Sequence, residues 1–185
     1  MCSSDLAAGV AGVILRAQTA RRTTTVRGID WAGRGVWLRT ELHTHTRFSD
    51  GSHTVDEVVA AAAKNGCDVV AISDHADSNL KAATPEYLAA IAKARAANPS
   101  LVVLTGLEWN VPPGKGQEHA DVLFPSEMET LDTLAAVKQR YDDQNLKGEN
   151  PEVATAALAY LQGAAGSGLA PFVMVNHPSR RPGST

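Results

Sequence analysis

Residues 54–75 read TVDEVVAAAAKNGCDVVAISDH, a helix, a stop, a strand and a polar end in one run. Thr54 and Glu57 have the spacing of a capping box: the hydroxyl takes the N3 amide and the carboxylate reaches back to the cap. Val58, Val59 and the alanines carry the helix to Asn65, and Gly66 supplies a left-handed stop. Residues 68–73 (DVVAIS) are short, apolar and rich in branched side chains, which predicts a buried strand. That strand ends in Asp74-His75.

The same alternation extends to both sides. Residues 36–42 read as a first strand. Thr84-Pro85 opens a second helix that runs to about Asn98, with proline at the first helical position. Residues 101–107 (LVVLTGL), 120–124 (ADVLF) and 172–175 (FVMV) read as three more strands. Helices are predicted over 130–143 and, after Asn150-Pro151, through Tyr160 to Gly166. Strands alternating with helices predict an α/β fold with parallel pairing through crossover helices. Helices on both sheet faces account for strands that are nearly continuous apolar runs.

The 185 residues fit one domain, near the lower limit for a barrel of strands and helices. A net charge of −3 gives no sign of a nucleic-acid or membrane surface. An acidic chain can still handle phosphate if metal ions supply local positive charge. Cys2 and Cys67 imply neither a disulfide framework nor a zinc knuckle, and Cys67 reads as a small buried hydrophobe. Residues 1–35 read as leader and linker. The apolar run 6–15 (LAAGVAGVIL) is too short to span a bilayer but resembles the end of a secretory signal. Against a signal, MCSSDL carries no positive charge and Arg16 interrupts the run. Both a cytoplasmic and a secreted or periplasmic location therefore stay open.

Five of the six histidines stand beside predicted strand ends. The first strand ends in His43-Thr44-His45, the second in Asp74-His75 and the third in Glu108. The fifth ends in Asn176-His177, while His119 precedes the fourth. In α/β barrels, catalytic groups collect at the carboxyl ends of the strands. Residues two apart on a strand share a face, so the imidazoles of His43 and His45 can hold one ion without backbone strain. Imidazole suits zinc, manganese or iron, and carboxylates add charge. Asp50 can return a carboxylate to the same rim, with Gly51 permitting the turn, and Glu108 can bridge two ions. Asp74 either orients His75 or another ligand, or simply caps a strand end. Arg47 and Arg180 are candidates for binding a phosphate oxygen. His53 and Glu118 read as surface residues, and Trp31, Trp37 and Trp109 as packing residues.

The runs ELHTHTRFSDG, AISDHAD, LTGLEWN, QEHADVLF and VNHPSR closely resemble the PHP superfamily, named for polymerase and histidinol phosphatase. The resemblance covers about residues 41–180. It implies a distorted seven-stranded (β/α) TIM-like barrel over residues 36–185, with about five of the seven strands present. It also implies two or three divalent ions (Zn, Mn or Fe) and hydrolysis of a phosphate mono- or diester by a metal-bound hydroxide. The substrate class is a small-molecule or nucleotide phosphate ester. By the same resemblance, His43 and His45 hold one ion and Glu108 bridges to a second. His119 and His177 complete the second ion's set. Asp50 and His75 serve a third, with Asp50 where other members use histidine. The family pattern closes with an Asp-x-His pair on the last strand, and no such pair follows His177. The expectation is a domain incomplete at its C-terminus, with open sheet edges and an exposed apolar face. Two alternatives are a metal-dependent amidohydrolase-like C–N hydrolase and a non-catalytic metal- or partner-binding module. The first also opens with His-x-His on a barrel strand, but Ser73-Asp74-His75 and Leu107-Glu108 fit it poorly.

Overall fold

The computed structural model describes residues 33–114, 116–125, 128–147, 150–164 and 168–176. The chain divides into two units, Met1–Val36 and Trp37–Thr185, and every element named here belongs to the second. Most of the predicted leader lies outside the described residues. The order is β1 (Thr40–Glu41), α1 (Val55–Lys64), β2 (Val69–Ile72), α2 (Pro85–Ala97), β3 (Val102–Asn110) and β4 (His119–Phe124). Then follow α3 (Leu131–Ala136), α4 (Glu152–Ala164) and β5 (Phe172–Asn176). The five strands form one sheet in sequence order, curled into part of a barrel.

The local signals for helix ends are realised in atomic detail. The Glu57 amide donates to Thr54 Oγ1 at 3.3 Å, and the Thr54 amide donates to Glu57 Oε2 at 2.7 Å. Gly66 takes φ +72°, the left-handed conformation that closes α1. Thr84 caps α2 through the Tyr87 amide, with Pro85 at the first helical position. The helix predicted over 130–143 is interrupted: α3 ends at Ala136 and continues as a π-helical turn, Val137–Tyr141. The predicted first strand shrinks to two paired residues, and Val36, Trp37 and Leu38 ahead of it are exposed.

Strand direction corrects one expectation. β1, β2 and β3 are mutually parallel, but β4 runs antiparallel to β3, and β5 antiparallel to β4. The cause lies in the connection: only residues 111–118 separate β3 from β4, whereas a parallel crossover needs roughly a dozen residues or more. One consequence places the site. Because β4 is reversed, its first residue meets the end of β3, with Asn110 paired to His119. His119 in turn pairs with Asn176, the last residue of β5. The rim where β3 and β5 end is thus also where β4 begins.

The core packs α1 and α2 against the sheet through Val59, Val70, Ile72, Tyr87, Ile91 and Leu107, all fully buried. Trp109 is buried too, its indole N–H donating to Tyr141 O at 2.7 Å, so it packs rather than walls a pocket. Among the described residues, β1 and β5 are the sheet edges. Phe172 and Val175 on β5 are more than half exposed.

Candidate metal centre

The segment after β1 is held so that its histidines face Glu108 on β3. The Thr44 amide donates to Ser73 Oγ at 3.0 Å, and the Ser73 amide donates to Thr44 O at 2.9 Å. Thr44 also donates its hydroxyl to Ala71 O. With Thr44 committed to β2, alternation turns His43 and His45 together to the other side. Beyond them the chain doubles back. The Ser49 and Gly51 amides both donate to Thr46 O at 3.0 Å. A Cβ on Gly51 would sit 2.3 Å from His45 O, so only glycine fits this approach. The turn presents Asp50 to His45, with His45 Nδ1 2.7 Å from Asp50 Oδ1.

β2 ends at Ile72, three residues before His75, which forms an isolated parallel bridge with Glu108. The Ala76 amide donates to Glu108 O at 2.9 Å, and the Glu108 amide donates to Asp74 O at 3.0 Å. Glu108, 1% exposed, is the hub. Its Oε2 lies 3.0 Å from both His45 Nε2 and His75 Nδ1. Its Oε1 lies 2.9 Å from His119 Nδ1 and 3.9 Å from His43 Nε2. The outer ring nitrogens have their own partners. His119 Nε2 is 3.0 Å from Gly116 O, and His43 Nδ1 is 3.0 and 3.1 Å from the two oxygens of Asp121. His75 Nε2 is 3.7 Å from Asp50 Oδ2.

These contacts shift protonation strongly. Burial lowers the His45 pKa, but the adjacent carboxylates of Glu108 and Asp50 outweigh it and raise the value to about 9. The hydrogen bond to Asp121 raises the His43 pKa against the opposing effect of burial. Burial also acts to raise Glu108 and Asp50. The surrounding histidines override it, holding Glu108 far below the usual carboxylate range and Asp50 below its ordinary value.

The arrangement passes a specific test for a cation site. His45 Nε2 and His75 Nδ1 are buried and make no hydrogen bond among the described residues, although both lie 3.0 Å from a carboxylate oxygen. Buried polar atoms are normally satisfied, and imidazole nitrogens and a carboxylate oxygen crowded together in this way suit a metal ion that displaces their protons. Three overlapping groups have ligand atoms within 4.8 Å of one another: His43, His45 and Glu108; His45, Asp50 and His75; His75, Glu108 and His119.

The structure thus brings together His43, His45, Asp50, His75, Glu108 and His119. His177 and Arg180 lie outside the described residues. Two expectations need correction. Asp74 does not bond His75. Its Oδ1 accepts from the Thr46 amide at 2.7 Å and from the Ser49 hydroxyl at 2.6 Å, and its Oδ2 accepts from the Thr46 hydroxyl at 2.7 Å. It is the buried anchor of the turn that carries Asp50, so it supports that candidate ligand and not His75. Arg47 donates Nε to Ser52 O at 2.9 Å and lines a groove with Phe48, Lys81 and Lys93 that contains none of the clustered histidines. His53 is exposed beside Glu57, as expected.

Two polar residues at the centre went unread in the sequence. Asp121 is fully buried on β4, and Asn176 donates to Glu108 Oε1 at 3.2 Å. A signal for Asp121 existed, since it stands two residues after His119 and shares its face. Asn176 had only its place beside His177.

A family model described as PHP domain matches residues 41–169. No curated protein matches the chain. Among solved structures, the chain is similar to a two-domain protein from Bacteroides vulgatus containing a predicted PHP-like metal-dependent phosphoesterase. The identity is 18%, the TM-score 0.44, and the match covers 74% of this chain and 34% of that one. A putative metal-dependent phosphoesterase from Bifidobacterium adolescentis matches at 24% identity and TM-score 0.40, over 56% and 34% of the two chains. An amidohydrolase from Chromobacterium violaceum with bound sulfate matches at 24% identity and TM-score 0.37, over 71% and 40%. The chain thus spans between 34% and 40% of the length of these three structures.

Proposed function

Because the chain belongs to the PHP domain family, we propose that it carries the metal-binding part of a phosphoesterase that hydrolyses a phosphate mono- or diester with two or three divalent ions, zinc, manganese or iron. The observation that carries this reading is the convergence of four histidines on one buried carboxylate, with His45 Nε2 and His75 Nδ1 lacking hydrogen bonds among the described residues. His43, His45 and Glu108 would hold one ion, and His75, Glu108 and His119 a second. His45, Asp50 and His75 would hold a third. His177 is proposed to join His119. When bound, the ions supply Lewis acidity, lowering the pKa of water to about 7 and offsetting charge on the phosphate oxygens.

The chain's own residues fix the geometry of that chemistry. Glu108 is buried and engaged on both oxygens, so it defines the floor of the site. Asp50 is 65% exposed and marks the side open to solvent, where a substrate would enter. Asp74 locks the turn behind it. Arg180 remains the proposed partner of a phosphate oxygen.

Elemental analysis of the purified chain tests the reading. Stoichiometric divalent metal is expected, and the H43A/H45A double variant should lose both metal and hydrolysis of p-nitrophenyl phosphate esters. Unchanged metal content in that variant would sink the assignment. Parallel assays on mono-, di- and amide-linked p-nitrophenyl substrates identify the bond cleaved.

A further inference from the structure

Asp121 is a buried carboxylate in an unusual position. It sits directly opposite Glu108 in the β3–β4 register, and residues so paired have Cβ atoms about 5 Å apart. Both side chains are buried, Asp121 fully and Glu108 to 1% exposure. Two like charges placed across from each other in a dry interior are costly unless cationic groups lie between them. His43 lies there. Its Nδ1 is 3.0 and 3.1 Å from the Asp121 oxygens and its Nε2 is 3.9 Å from Glu108 Oε1. The two residues are 78 positions apart in sequence, so the pairing is made by the fold.

We propose that Asp121 is a positioning residue that fixes His43 as a metal ligand through Nε2. A carboxylate can only accept, so its partner Nδ1 must carry a proton. Neutral His43 is therefore the Nδ1–H tautomer, and the lone pair sits on Nε2, the nitrogen facing Glu108. Metal-bound histidines commonly give their second ring N–H to a carboxylate in this way, which sets the tautomer, holds the ring and increases ligand basicity. His119 is held similarly, by Gly116 O on its Nε2. For His43 the partner carries charge, so Asp121 adds one negative charge to the centre without being a ligand. The Asn176 side-chain NH2 donates to Glu108 Oε1 at 3.2 Å and lies 3.1 Å from His43 Nδ1. That nitrogen can bond either the Asp121 carboxylate as a donor or the Asn176 NH2 as an acceptor, and two carboxylate oxygens at 3.0 and 3.1 Å favour the former. The proposal rests on the metal-centre reading.

The test uses D121N and D121A in the 185-residue chain. Imidazole nitrogen NMR of the metal-free protein, at alkaline pH where the rings are neutral, should show His43 as the Nδ1–H tautomer in wild type. In D121A that signal should shift toward Nε2–H. Zinc affinity by chelator competition should fall about 10- to 100-fold in D121A. D121N keeps the shape and one acceptor oxygen, so it should lose less. Far-ultraviolet circular dichroism checks folding, and D121N carries the test if D121A does not fold. The two readings fail separately. A wild-type chain that takes up no zinc overturns the metal centre itself. Equal zinc affinity across wild type, D121N and D121A, or an Nε2–H His43 in wild type, overturns the role given to Asp121.

Discussion

His45 concentrates the chemistry of single residues here. Its metal-free pKa of about 9 means that it is protonated at neutral pH, held between Glu108 and Asp50. A metal must displace that proton, so binding near pH 7.5 should release protons and grow tighter as pH rises, levelling off above about 9. Calorimetry in two buffers of different ionisation enthalpy reads the number released. The metal-free protein should show the opposite trend in stability. A group whose folded pKa is raised stabilises fully below its unfolded value, about 6.5 for histidine, and that contribution is lost as pH climbs through about 9. Thermal melts of the metal-free chain should therefore fall across that window, whereas melts with saturating metal should not follow them down. Gly51 offers a steric counterpart. In Gly51→Ala the new Cβ collides with the backbone of His45, so the turn must open and Asp50 must move. Metal content should drop while helix content by circular dichroism stays unchanged.

At the scale of elements, the turn between β1 and α1 depends on Asp74. Asp74→Ala would leave three donors, the Thr46 amide and the Thr46 and Ser49 hydroxyls, without their buried acceptor. Each unsatisfied buried group costs about 1–3 kcal/mol, so urea titration should show a loss of at least about 2 kcal/mol. Thr54→Ala removes the α1 cap, where about 1 kcal/mol is expected. The sequence revealed these elements unevenly, for physical reasons. Caps and stops are local, so Thr54, Gly66 and Thr84-Pro85 were legible. Strand existence was legible from apolar runs, but the direction of β4 depends on connection length, and an alternating pattern does not show it. His119 looked misplaced ahead of its strand for that reason alone. Asp74 was readable as polar and strand-terminal, but its bonds to Thr46 and Ser49 are set by how the turn folds back.

For the whole molecule, the candidate ligands come from four separate segments: the chain after β1, the end of β2, β3 and the start of β4. Metal bound there would tie together four segments that only the folded chain brings together, so it would favour the folded form. Saturation at a hundredfold excess over the dissociation constant is worth about 2.7 kcal/mol. Removing metal with a chelator should therefore lower the melting temperature by several degrees, reversibly on adding metal back. That the histidines meet at one rim was legible from their recurrence at strand ends. The depth of the centre was not, because Asp121 and Asn176 belong to it only through pairings made by long-range contacts.

The reversed fourth strand leaves the centre with an all-or-nothing dependence on alignment. His119 and Asp121 point inward because one phase of a two-residue rhythm happens to face that way. Slide β4 along its neighbours by a single position, as a one-residue deletion in the 111–118 connection would do, and Ala120 and Val122 would take their places. One lost codon would then empty two seats at once and put greasy side chains where a charge and an imidazole had been.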